Sequence, residues 1–223
     1  MTIRLMCSVG AALLAAGSCR AGPGCGGGWS PVPGRPGPVS SFNTNPALLG
    51  VTPGPILALR VFDEDGDGPM EPTLLAAGSF ISMGAASTSR IARWNGSYWL
   101  PMNTSQVANS ATVLVEWDDD GPGSESPELY ALDNSGKLYR WTGVQWAGLT
   151  GNVPLPGNPA GDPDCDPNIF VTAAIAFDDD NNGIPSLFVA ACDKVYKRVG
   201  GSWEQVGADF FAPVYALEVH DDG

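Results

Sequence analysis

The sequence is poor in the side chains that do chemistry. It holds one histidine, His220, among 223 residues, and its five cysteines include no closely spaced pair of the kind zinc sites use. A hydrolase built on Ser, His and an acid needs an imidazole as base. His220 stands where three similar stretches carry Phe62, Trp117 and Phe177, so it reads as a packing residue. Basic residues are scarce as well: 11 Lys and Arg stand against 24 Asp and Glu, a formal net charge of −13. Such a balance repels phosphate backbones and anionic lipid, which excludes nucleic acid as a partner. No apolar run reaches the roughly 20 residues of a spanning helix, so no membrane span is expected.

What is present points to a turn-dense chain with a core. Hydrophobic residues make up 43%, too many for a disordered protein, while 29 Gly and 20 Pro leave little room for long helices. The fold class is therefore expected to be all-β. Residues 1–21 read as an export signal: Arg4 supplies the positive start, an apolar stretch follows, and small residues lead up to Ala21. Cys19 follows Ala16, Gly17 and Ser18, which leaves a lipid anchor at Cys19 as a second possibility. Either route puts the chain in an extracellular, periplasmic or cell-surface location, where disulfides persist. A bridge between Cys165 and Cys192 is sterically reasonable, with Cys25 then unpaired, but the sequence does not set the pairing.

Comparing the chain with itself shows three landmarks that recur in order. The first is an apolar run ending in an aromatic and acids: Ala58-Leu-Arg-Val-Phe-Asp-Glu-Asp65, Val113-Leu-Val-Glu-Trp-Asp-Asp-Asp120 and Ala173-Ala-Ile-Ala-Phe-Asp-Asp-Asp180. A fourth copy, Ala216-Leu-Glu-Val-His-Asp-Asp222, follows them. The second is a short apolar strand, Leu74-Leu-Ala-Ala77, Leu129-Tyr-Ala-Leu132 and Leu187-Phe-Val-Ala190. The third is a strand, a Gly turn and a Trp: Ile91-Ala-Arg-Trp-Asn-Gly-Ser-Tyr-Trp99, Leu138-Tyr-Arg-Trp-Thr-Gly-Val-Gln-Trp146 and Val195-Tyr-Lys-Arg-Val-Gly-Gly-Ser-Trp203.

Each unit thus predicts four short antiparallel strands. Units of this kind, repeating near the roughly 40 to 50 residues of four-stranded propeller blades, predict a β-propeller-like array, incomplete, of about three blades and the start of a fourth. A β-sandwich or solenoid is the alternative. The expected organisation is a signal at 1–21, a Gly/Pro-rich segment at 22–55, repeats at 56–109, 110–170 and 171–213, and a truncated repeat at 214–223. Within the Gly/Pro-rich segment, Trp29 and Val32 match Trp203 and Val206, so 29–32 reads either as a ring-closing strand or as part of a linker.

These residues resemble bacterial secreted propeller-like repeat proteins, especially planctomycete ones, whose units carry Ile-Ala-Arg-Trp-Asp-Gly, a later Trp, and Val-Phe-Asp-Asp before a short strand. The resemblance covers Ile56 to the end and implies a fold and a compartment. The acidic loops are similar to FG-GAP loops of integrin-α-type propellers, which implies calcium between the first two strands of a blade. Calcium takes six to eight hard oxygens, and carboxylates at every second residue with Gly supply them in a curled loop. The candidate ligands are Asp63, Asp65, Asp67 and Glu71 in the first loop. Asp118 and Asp120 are those of the second, and Asp178, Asp180 and Asn182 those of the third. The alternative is that Asp and Gly form solvated turns that keep an edge soluble.

Ala131-Leu-Asp-Asn-Ser-Gly-Lys137 resembles, once, the repeat of quinone-dependent dehydrogenase propellers. Its plainer reading is an Asn-Ser-Gly hairpin turn. No catalytic or cofactor-binding residue is assigned. The expected function is a secreted or cell-surface, non-catalytic binding or scaffold module with a protein or glycan ligand, possessing calcium as its one candidate cofactor. The alternative is a secreted propeller enzyme acting on carbohydrate, which needs two converging carboxylates; most of the acids here fall in the repeated loops.

Overall fold

The computed structural model describes residues 54–66, 68–83, 88, 90–104, 106–119, 127–155, 165 and 169–220. The expected leader with Cys19, the segment 29–32, Cys25, Asp67 and Asp120 lie outside the described residues.

Twelve strands and no helix are found among the described residues. β1 (Ile56–Phe62), β2 (Thr73–Gly78), β3 (Ile91–Trp94) and β4 (Trp99–Pro101) form the first sheet. The second comprises β5 (Ala111–Trp117), β6 (Glu128–Asp133), β7 (Leu138–Trp141) and β8 (Trp146–Gly148). The third comprises β9 (Val171–Phe177), β10 (Ser186–Ala191), β11 (Lys194–Val199) and β12 (Ser202–Gln205). Each is a four-stranded antiparallel meander in chain order, and none closes on itself.

The sheets are alike in detail. Phe62, Trp117 and Phe177 end the three first strands. Each first strand also slips its register near its start, where Leu57, Thr112 or Thr172 is skipped in the pairing. An extra residue of this sort is a β-bulge, which bends the strand and increases its twist. Thr112 donates its hydroxyl to the Leu132 carbonyl, which ties that bulge to the neighbouring strand, while the Thr172 hydroxyl donates to the Val214 carbonyl with the Ala190 carbonyl 3.3 Å away. The hairpins between third and fourth strands turn at Gly96 (φ 89°) and Gly143 (φ 82°), a region where a Cβ would be strained. Across them Trp94 meets Trp99, and Trp141 meets Trp146, each pair with ring centroids 5.4 Å apart. In the third unit Arg198 takes the first aromatic's place and lies 5.3 Å over the Trp203 ring.

Side-chain alternation along the strands gives every sheet two apolar faces. Phe62, Leu75 and Ile91 line the back of the first sheet and pack on Leu114, Leu129 and Trp146 from the front of the second. Trp117, Tyr130 and Leu138 line the back of the second and pack on Leu187 and Val189 from the front of the third. First strands lie against first strands, β1 on β5 and β5 on β9. Burial on both faces explains why β5 is apolar nearly throughout, with a single half-buried charge at Glu116. That carboxylate crosses to the first sheet, where Arg60 Nε lies 2.8 Å from Glu116 Oε1.

Cys165 and Cys192 form a disulfide. Cys192 turns the chain between β10 and β11 at φ 55° and is almost wholly buried. Asp133 holds the corresponding turn of the second sheet. It is fully buried, and it accepts from the Ser135 amide and hydroxyl, the Lys137 amide, Tyr139 OH and Asn109 Nδ2. The Asn-Ser-Gly stretch is a hairpin turn, as its composition indicates, but its aspartate is an internal anchor rather than a solvated turn residue.

Candidate functional site

The acidic loops begin where the first strands stop, so strand alternation decides where each carboxylate goes. Asp63, Asp118 and Asp178 follow the terminal aromatics Phe62, Trp117 and Phe177. The next acid in each loop turns to the back face and meets a polar partner there. Glu64 Oε1 accepts the Trp141 indole N–H at 2.8 Å, and its other oxygen is 3.9 Å from Arg93. Asp119 lies 3.1 Å from Tyr130 OH and shares its one proton with Glu128, which is nearer at 2.8 Å. Asp179 receives Lys197 Nζ on both oxygens at 2.7 Å. These second acids were not among the sequence candidates. The signal for them was the basic residue at one place of the third landmark, Arg93, Arg140 or Lys197. Arg93 and Lys197 meet their own sheet's second acid, whereas Arg140 reaches Glu128 instead.

The third loop is held in a curl by its own groups. Asp178 accepts the Asn182 amide at 3.1 Å and the Gly183 amide at 2.8 Å. Asp180 accepts both the Asn182 amide and its side-chain N–H, and Asn182 Oδ1 accepts the Ile184 amide at 2.7 Å. Desolvation raises the Asp178 carboxyl, but the Gly183 and Asn182 amides outweigh it and leave it below the ordinary carboxylate range. The candidates Asp178, Asp180 and Asn182 are thus brought together, with loop amides taking up many of their lone pairs.

The first loop is different. Asp65 Oδ2 accepts the Met70 amide at 3.0 Å, and the Asp65 amide approaches Asp63 Oδ1 at 3.4 Å. Asp65 Oδ1 is buried and has no hydrogen-bond partner among the described residues. A buried carboxylate oxygen without a donor is costly, and a hard cation is one way to satisfy it. Gly68 packs on this carboxylate so closely that a Cβ there would fall 1.9 Å from Asp65 Oδ2. Glu71 is exposed ahead of β2. Among the described residues, no three His, Cys, Asp or Glu side chains converge on one point that could hold a metal ion. By the state of its oxygens, the first loop fits a cation better than the third.

Elsewhere the polar groups join sheets. Trp117 Nε1 donates to the Pro185 carbonyl at 2.7 Å, and Trp203 Nε1 donates to the Gly151 carbonyl at 2.9 Å. His220 is exposed. Among the described residues, no helix is long and apolar enough to cross a membrane. Comparison with protein-family models, with curated proteins and with solved structures finds no match to this chain.

Proposed function

We propose that the chain is a secreted or cell-surface, non-catalytic binding or scaffold module of β-propeller type, stabilised by calcium at its acidic loops. One observation carries the reading: three equivalent four-stranded sheets pack back to front, with β1 on β5 and β5 on β9. Blades arranged about an axis meet in this way through their innermost strands. Indole side chains in the second and third units serve to link sheets, through Glu64, Pro185 and Gly151, which suits a scaffold. Its ligand would be a protein or a glycan.

Asp63, Asp65 and Glu71, with Asp67 completing the alternation in sequence, are the residues that would hold calcium in the first loop. The ion would supply charge neutralisation and a fixed loop shape. The single unpartnered oxygen of Asp65 is what favours it there.

Two measurements test the reading. Millimolar calcium should raise the melting temperature by binding only the folded form, and Asp65→Ala should remove that gain. Absence of calcium heat in calorimetry would leave the acids as solvated turns. Incubation with a panel of polysaccharides should release no reducing ends. Turnover above the blank would replace the scaffold with the carbohydrate enzyme.

A further inference from the structure

The hairpins between third and fourth strands place a different residue ahead of the turn glycine in each unit: Asn95 before Gly96, Thr142 before Gly143 and Val199 before Gly200. Of the three, asparagine alone carries a side-chain amide that the backbone nitrogen of the next residue can attack. Residues 95–98 are exposed. Gly96 stands at φ 89°, and a Cβ built on it would meet nothing within 4 Å, so the turn is open on that side.

The turn holds the Asn95 side chain by its oxygen and leaves its nitrogen alone. Oδ1 accepts the Ser97 amide at 3.0 Å and the Tyr98 amide at 2.9 Å. Among the described residues, neither Asn95 Nδ2 nor the Gly96 amide has an acceptor. Two N–H groups on Oδ1 draw electrons from Cγ and lie where negative charge develops when a nucleophile adds to that carbon, as in an oxyanion hole. Trp94 pairs with Trp99 across the hairpin and keeps the turn closed.

The sequence holds one other Asn-Gly pair, Asn182-Gly183 in the third acidic loop, and its arrangement is the opposite. The Gly183 amide donates to Asp178 Oδ2 at 2.8 Å, and Asn182 Nδ2 donates to Asp180 Oδ2 at 3.0 Å. Asn182 Oδ1 accepts one amide, that of Ile184. Nucleophile and leaving group are both tied up there, and two carboxylates oppose any negative charge that develops beside them.

We propose that Asn95 is a site of spontaneous deamidation, passing through a succinimide to aspartate and isoaspartate, and that the third loop protects Asn182 from the same reaction. The Gly96 nitrogen gives its proton to hydroxide and bonds to Asn95 Cγ. The Cγ–Nδ2 bond then breaks, and Nδ2 takes a proton from water and leaves as ammonia. Water opens the ring: cleavage of the new Cγ–N bond gives aspartate, and cleavage of the original peptide bond gives isoaspartate. One water is consumed, one ammonia is released, and nothing is oxidised or reduced. The product carries one more negative charge, and in isoaspartate the main chain runs through an added methylene. Residues 95–98 take no part in the core between the first and second sheets, so the sheets stay packed.

The test incubates the full chain at mildly alkaline pH, folded and in urea, and follows its peptides by mass spectrometry with fragmentation that separates aspartate from isoaspartate. In urea both asparagines should convert at similar rates, because glycine follows each. In the folded chain Asn95 should keep at least its rate in urea, while Asn182 should fall at least about ten-fold below its own. Asn95→Thr copies the second unit's turn, where the Thr142 hydroxyl meets the Gln145 amide and carbonyl, so it should fold like the parent and show no mass gain at this hairpin. Asp178→Ala frees the Gly183 amide and should speed Asn182 several-fold in the folded chain. Conversion of Asn95 in the folded chain at the rate of Asn182, or about ten-fold below its own rate in urea, would overturn the site. So would a mass gain at this hairpin that persists in Asn95→Thr. No acceleration in Asp178→Ala would overturn the protection assigned to the third loop.

Discussion

The indole N–H of Trp141 donates to Glu64 Oε1 at 2.8 Å, joining the hairpin of the second sheet to the acidic loop of the first. Seventy-seven residues separate the two along the chain. The bond exists because Trp141 faces the front of its sheet while Glu64 faces the back of the sheet before it. Both groups are partly exposed, so the bond contributes about 1 kcal/mol. Glu64→Ala and Trp141→Phe should each lower stability by about that much in urea unfolding, and the double variant should cost less than their sum. Strict additivity would show that the two do not interact in solution.

Asp133 gives the largest expected single effect. Five donors converge on a carboxylate with no exposure, and removing it leaves several of them buried without partners. Asp133→Ala should cost about 3 kcal/mol or more. Asp133→Asn keeps one acceptor oxygen but sets an NH2 against donors, and should cost less than the alanine. A loss under about 1 kcal/mol for the alanine would mean that water replaces the aspartate.

The phenol of Tyr139 is part of the same cluster and predicts the alkaline limit. Burial first, and then the charge and hydrogen bond of Asp133, push it up to about 12. An unfolded tyrosine ionises near pH ~10. Because the folded value is the higher one, its contribution is full below pH ~10 and is lost as pH rises from there through about 12. The Tyr130 phenol is raised too, by burial and by its bonds to Glu128 and Asp119. Melting temperature should therefore fall above pH ~10, and less steeply in Tyr139→Phe. Identical slopes would place the alkaline loss elsewhere.

The Cys165–Cys192 bridge closes a separation of 27 residues. Loop-closure entropy for such a length stabilises the fold by roughly 3 to 4 kcal/mol. Paired Cys165→Ala and Cys192→Ala substitution, or reduction, should lower the unfolding free energy by about that amount. Unchanged unfolding in reductant would show that the buried turn at Cys192 holds without the bridge.

Short apolar runs recurring in the same order were enough to locate the strands, because runs such as 111–117 and 186–191 are apolar nearly throughout, too short for buried helices, and set between turn-rich segments. The four-strand unit and the equivalence of Phe62, Trp117 and Phe177 were legible from spacing alone. The acids were legible as a group but not by role. Alternation alone could have separated Glu64, Asp119 and Asp179 from their neighbours, but a partner such as Trp141 comes from another sheet. The same holds for Asp65, whose unpartnered oxygen depends on how the loop closes over it.

The amino-acid sequence by itself determined the repeat, the all-β class and the acidic balance, since each depends on residue type and on contacts within one hairpin. Tertiary structure alone decided the burial of Asp133, the pairing of Cys165 with Cys192, and the packing of 214–220 against the third sheet. The physical reason is one of range. Hairpin pairing is set by neighbours in the chain, whereas burial, disulfide reach and face-to-face packing depend on how the β-bulges and twist bring separate sheets together.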